Sequence, residues 1–287
     1  LLLNMAAFAA VDTHNRKAKK RQTNPLVALL PASDAVATLD SKRLISTAMP
    51  QILSANQPML DRIMGQVNDI ESKTGIDLKK FDSVVIGMSV SKVGPKNFEF
   101  DPVAIARGDL NSGTLLAVAK LAANGAYREE KYGERTIYIF TTKEVIKKTA
   151  VKTGKADIES MIGDTLDGLT KEIAVSALDA KTLVFGSLAR VQQTLSGKSH
   201  VSPEVTALLP VTENDVIAFG MKTPDGMSAL LPLENDELGQ NIDSIRSLSG
   251  SMNVTAVGTT MQMTARTAKA EQAKSLYETL DGLKMLG

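Results

Sequence analysis

Residues 28–40 read Ala-Leu-Leu-Pro-Ala-Ser-Asp-Ala-Val-Ala-Thr-Leu-Asp, and residues 207–220 read Ala-Leu-Leu-Pro-Val-Thr-Glu-Asn-Asp-Val-Ile-Ala-Phe-Gly. In both, Ala-Leu-Leu-Pro leads through a short polar turn to an Asp that opens an apolar strand. A repeat of this kind ties the fold to two related units, because each copy must find an equivalent place for the same apolar residues. The chain accordingly divides into a leader remnant with a basic linker (1–25), a first α+β unit (26–197) and a second α+β unit (198–287) that is shorter or else truncated. The polar stretch 196–203, Ser-Gly-Lys-Ser-His-Val-Ser-Pro, supplies the linker between them.

Periodicity fills in the units. Residues 34–40 read as a strand, and Ser41 caps a helix over 42–49 that Pro50 ends or kinks. A second helix starts near Pro58 and carries Met59, Leu60, Ile63, Met64, Val67 and Ile70 in one stripe. Residues 81–91 switch to period two: Val84, Ile86, Met88 and Val90 are expected to pack on helices, while Val85, Gly87 and Ser89 leave the opposite face thin. A strand at 98–109 and a helix at 111–123 follow, then a strand at 134–140 and a helix at 157–169. A hairpin over 173–179 and 182–186 and a helix over 188–195 close the first unit. In the second, 253–255 and 261–266 pair around Gly258 with Met261, Met263 and Ala265 facing in, ahead of an amphipathic helix over 269–283. Hairpin-linked strands with helices between them define the expected class: α+β, two related units, each an antiparallel sheet with helices packed on one face.

The chemistry open to the chain is narrow. There is no Cys, which removes disulfides, thiolate nucleophiles and sulfur-ligated metals, and only His14 and His200 supply imidazole. Ser-His-Asp hydrolases, zinc enzymes and cysteine proteases are disfavoured; carboxylate, Lys or Ser-Lys chemistry stays open. A net charge of +1 and 4% aromatic residues without Trp give neither a field for phosphates nor platforms for bases, so no nucleic-acid partner is expected.

The short motifs lose to their context. Gly197-Lys198-Ser199 ends like a phosphate-binding loop, but the position that needs the earlier Gly is Gln192. Ser89-Val90-Ser91-Lys92 spells Ser-x-x-Lys, and Lys73-Thr74-Gly75 and Lys152-Thr153-Gly154 spell Lys-Thr-Gly. On a period-two strand, however, residues three apart point to opposite faces, so Lys92 cannot reach Ser89. Asp164 and Asp167 share a solvated helix face, Glu129 and Glu130 diverge, and the sequon Asn253-Val254-Thr255 falls inside a strand. Met59, Met64, Met88, Met261 and Met263 are placed on core faces as gap-fillers, with a groove for an apolar ligand as the alternative. No residue is nominated as catalytic, cofactor-binding or metal-ligating, and no cofactor is expected.

Residues 1–11, Leu-Leu-Leu-Asn-Met-Ala-Ala-Phe-Ala-Ala-Val, read as the tail of an export signal with Ala7-Phe8-Ala9 as a small-x-small cleavage site, or else as a packed helix or leader scar. The basic run 16–21 argues against passage across a membrane and reads as a solvated linker, with contact to anionic lipid as the alternative. Leu30-Pro-Ala-Ser-Asp34, Thr74-Gly-Ile-Asp77, Phe81-Asp-Ser-Val-Val-Ile-Gly87 and Phe100-Asp-Pro-Val-Ala-Ile-Ala-Arg-Gly108 give the chain its resemblance to uncharacterised exported proteins of acidobacteria, over most of 26–195. That resemblance implies a bacterial cell-envelope location and carries no activity. The expectation is a non-enzymatic periplasmic or extracellular protein that binds a protein partner or self-assembles. The alternatives are a carrier of a small apolar ligand in a groove between sheet and Met-rich helices, and an enzyme using carboxylate or Lys chemistry.

Overall fold

A computed structural model of the chain describes residues 24–74, 77–94, 97–141, 172–210, 215–230 and 236–286. The apolar leader, the basic run, the helix expected at 157–169 with Asp164 and Asp167, and Lys152-Thr153-Gly154 lie outside those residues. Ten strands are described: β1 (Ala35–Asp40), β2 (Phe81–Lys92), β3 (Phe98–Gly108), β4 (Tyr127–Tyr132), β5 (Arg135–Thr141), β6 (Glu172–Asp179), β7 (Thr182–Gly186), β8 (Asp215–Lys222), β9 (Ile245–Thr255) and β10 (Gly258–Thr267). They form one antiparallel sheet in the order β10-β9-β8-β1-β2-β3-β7-β6-β5-β4. The helices, in an α+β arrangement, are α1 (Gln57–Thr74), α2 (Ser112–Ala123), α3 (Leu188–Ser196), α4 (Pro203–Leu208), α5 (Asp236–Asp243) and α6 (Ala270–Leu286), with shorter helical turns between strands.

The repeated stretch sits at the middle of the sheet. β1 and β8, the strands that follow the two Ala-Leu-Leu-Pro sequences, are direct neighbours, with Val36 opposite Gly220 and Thr38 opposite Ala218. From this pair the order runs outward as β1-β2-β3 on one side and β8-β9-β10 on the other, so the strands of 26–197 and 198–287 share one sheet. A short helical turn runs into the start of each copy. Pro25–Leu29 is capped by Asn24, whose side chain accepts the Leu26 N–H at 3.0 Å, and α4 is capped by Ser202, which accepts the Val205 N–H at 3.3 Å. Proline in the first turn of both removes an N–H that would have no partner there.

These turns deliver Leu30 and Leu209, both fully buried, onto the same face of the sheet. Val36 lies between Gly87 on β2 and Gly220 on β8. The two glycines let the turns approach closely: a Cβ on Gly87 would lie 2.5 Å from Ser33 Oγ, and one on Gly220 would lie 2.7 Å from Leu208 Cβ. The main core continues through Val85, Ile105, Ile139, Val184 and Val191, so β5 to β7 and α3 belong to it. This corrects the expectation for 81–91. The small residues of β2 mark its tightly packed face, because they admit the turns, whereas Ile86 on the large-residue face is 36% exposed.

Three local departures have local causes. Asp40 rather than Ser41 caps the helical segment after β1, accepting the Arg43 N–H at 2.9 Å. Pro50 does not end that segment; it lacks the N–H that would bond one turn back, and the chain makes a π-helical turn at Leu44–Ala48 before continuing through Met49–Ile52. β4 has no apolar alternation to announce it, since Tyr127–Tyr132 is mostly charged.

The repeat makes unequal demands on its two leucines. Leu30→Ala and Leu209→Ala are each expected to lower unfolding free energy by about 2–5 kcal/mol. Leu29→Ala, at a position 40% exposed, should cost less than about 1 kcal/mol, as read by urea denaturation.

Candidate functional site

The second face of the sheet is apolar from β7 to β10. Register aligns Met263, Gly250, Phe219, Ala37, Ile86, Ala104, Phe185, Val175 and Tyr138 in one row across nine strands. Large and small residues alternate along much of it, and a Cβ on Gly250 would lie 2.7 Å from the Phe219 ring, which therefore lies over the glycine. The flanking rows, Met261-Met252-Ile217-Leu39-Val84-Ala106-Leu183 and Ala265-Leu248-Met221-Ala35-Met88-Pro102, contain no polar side chain.

Helices cover this face at its ends. At the β4 end, α2 places Lys120 Nζ 5.3 Å and 5.0 Å from the ring centres of Tyr127 and Tyr138 and 2.8 Å from Glu129. The hydrogen bond to the Glu129 carboxylate holds that ammonium above its ordinary pKa. At the other end, Leu44 and Ala48 pack on Met252 and Val254, while Arg43 and Gln51 donate to the Val254 and Thr255 carbonyls at 3.0 Å each. Between these covers Ile86 and Phe185 stay 36% and 37% exposed, and on the edge strand Met261 and Met263 are 59% and 68% exposed. Met261 and Met263 thus do share the apolar face but are not core, and Met59 on α1 is also exposed, because the edge strand and the start of α1 have too little cover over them. The methionines of this face are carried by strands, at Met88, Met221, Met252, Met261 and Met263, more than by helices.

A cleft of about 460 Å³ opens at the end of the sheet where β1 finishes and β2 and β8 begin, lined by apolar residues such as Leu26, Leu39 and Leu209 and by Asp40, Asp82, Asp215, Ser83 and Arg107. Two of its charged groups are already engaged in the fold. Asp40 is the helix cap, and Arg107 donates to Thr182 at 2.9 Å and pairs with Asp179 at 3.5 Å. At Asp179, burial pulls the pKa up, but the Lys181 N–H, the Thr182 hydroxyl and the Arg107 guanidinium outweigh it and leave the carboxyl below its usual range. Among the described residues, no three His, Cys, Asp or Glu side chains form a group that could hold a metal ion.

The motifs weighed from sequence fall into structural places. Gly197 is the left-handed cap at the end of α3, with φ 58°, so Gly197-Lys198-Ser199 follows a helix instead of opening one. Ser89 and Lys92 lie on β2, and the sequon lies on β9. Glu129 and Glu130 diverge, the first toward Lys120 and the second accepting from Gln192 Nε2 at 2.6 Å. Arg190, 3% exposed, was not anticipated: it donates to Ala32 O and Ser33 Oγ at 2.7 Å each and to Gln193 Oε1 at 3.0 Å. Burial lowers its pKa, opposed by the charges of Asp101 and Asp34. The signal for it was an Arg beside Val191 on the buried side of a helix.

No protein-family model matches the chain, and no curated protein matches its sequence. Among solved structures it is similar to crystal form III of TP0453, with a TM-score of 0.44 and 10% identity over 86% of this chain and 81% of that chain. A likeness so distant carries no function across.

Asp179 sets a pH dependence. Its folded pKa lies below the unfolded value, so its contribution is present above the unfolded pKa and lost as pH falls through the folded one. Asp179→Asn should therefore lower the urea midpoint at neutral pH, and the gap to the native chain should close as pH is taken below about 4.

Proposed function

We propose that the chain is a non-enzymatic binding or assembly protein of the bacterial cell envelope or extracellular space, which engages an apolar surface through the second face of its sheet. The observation that carries this reading is the run of apolar rows from β7 to β10, with Ile86 and Phe185 more than a third exposed at its middle. Exposed apolar area of that continuity is unusual on a lone soluble domain and favours a contact that covers it. The involvement of the cleft's Asp40 and Arg107 in capping and pairing supports a role without acid-base catalysis. The envelope location rests on the resemblance of 26–195 to exported proteins and on the apolar leader. Among the described residues no helix is long and apolar enough to cross a membrane.

A second reading, carriage of a small apolar ligand, is favoured by the five methionines of that face, whose unbranched thioether chains adapt to varied shapes.

The purified chain should enhance the fluorescence of an environment-sensitive apolar dye, and Ile86→Thr with Phe185→Ser should weaken dye binding about ten-fold while the far-ultraviolet dichroism is retained. Dye binding that ignores these substitutions would remove the face from the proposal. Lipid retained in native mass spectrometry selects the carrier reading, and recovery of the native protein in the cytosolic fraction overturns the envelope location.

A further inference from the structure

The two edges of the sheet are built differently. β4 is six residues long and carries Arg128, Glu129, Glu130 and Lys131, which pair with Glu172, Lys120, Gln192 and Thr136. Short length and charge are the usual protection of a strand edge against joining another strand. β10 has neither. It is ten residues long, has Arg266 as its sole charge, and keeps unbroken register with β9 until a shift between Arg266 and Thr267. Every residue from Thr260 to Arg266 is exposed, and among the described residues β10 has no strand on its outer side. Its outward backbone N–H and C=O groups are therefore presented along an edge with no bulge before Arg266 and no charge but Arg266.

The sequence of that edge also reads the same in both directions: Thr260-Met261-Gln262-Met263-Thr264. In an antiparallel pair related by a two-fold axis, each residue faces its own reflection through the centre. We propose that β10 pairs with β10 of a second copy of this chain, antiparallel and centred on Gln262. Gln262 then meets its counterpart, each Met261 meets a Met263, and each Thr260 meets a Thr264. The next pairs are Thr259 with Ala265 and Gly258 with Arg266, so no two charges meet. Amide-amide, thioether-thioether and hydroxyl-hydroxyl pairs are each compatible cross-strand neighbours. Met261 and Met263, the exposed methionines of the strand, would cover one another across the axis on one face, with Gln262 on the other. This assignment uses the sheet's edge; it shares Met261 and Met263 with the apolar face, whereas Gln262 belongs to the edge alone.

An interface made chiefly of one strand pair is small, so a dimer of micromolar strength is expected rather than an obligate one. Sedimentation velocity of the full chain from about 5 to 500 μM should show a dimer fraction that rises with concentration. Gln262→Lys and Gln262→Glu each put two like charges on the axis and should weaken self-association at least about ten-fold. An equimolar mixture of the two variants places Lys opposite Glu and should restore a dimer of one copy each. Gln262 is exposed and lies on the face opposite Ile86, so both variants should keep the native thermal midpoint and dye binding, which separates a failure here from a failure of the proposed binding face. A native chain that stays monomeric throughout, a Gln262→Lys variant that dimerises as the native chain does, or a mixture no more associated than its components would each overturn the pairing.

Discussion

The fold depends on the antiparallel pairing of β1 with β8. It brings together two stretches far apart in the chain, at the loop-closure cost that such a distant contact carries. What offsets the cost is that both strands arrive with a turn that buries a leucine on the same side. Leu30 and Leu209 enter one cluster with Val36 between them, and each fully buried aliphatic side chain is worth about 1.5–3 kcal/mol. Asp34 adds a polar stitch at the same place. Its carboxylate accepts the Val90 N–H, its own N–H donates to Met88 O, and its carbonyl accepts the Lys222 N–H, so the first copy's Asp is tied to β2 and β8 at once.

From that pairing follows the inequality of the two faces. Close approach of the turns requires Gly87 and Gly220 beside Val36, and a strand that presents its smallest residues to one side presents its largest to the other. Val84, Ile86 and Met88 are thereby turned to the face where, among the described residues, no such turn arrives. The apolar rows there are the complement of the packing on the first face, and what remains open is the middle, between the helices anchored by Lys120 at one end and by Arg43 and Gln51 at the other.

Sequence reasoning reached what is decided locally. The alternation of 81–91, the helix at 111–123 and the hairpin at 173–186 all rest on neighbours within a few residues, and the α+β class follows from their order. It did not reach which face of β2 is packed, because that is set by Leu30 and Ser33 arriving from outside the strand. Nor did it reach the row through Ile86, Ala104 and Phe185, since lateral register joins residues whose spacing in the chain carries no period. The charged strand β4 was invisible because an edge strand needs no apolar alternation when its charges find partners such as Glu172 and Gln192.

Arg190 shows how the extra strands of the first unit are joined to the rest. A guanidinium buried at this depth costs several kcal/mol unless its donors are met. Here its two terminal nitrogens reach Ala32 O and Ser33 Oγ in the turn that opens β1, with the charges of Asp34 and Asp101 in support, while Nε has no hydrogen-bond partner among the described residues. The helix that carries Arg190 comes after β7, so the element that closes the additional strands also fixes the first copy of the repeat. Ile137, Ile139, Ala174 and Val184 from those strands share the cluster of Leu30 and Leu209. These strands complete the core that the paired turns begin, and without them Leu30 and Ser33 would lose part of their surroundings.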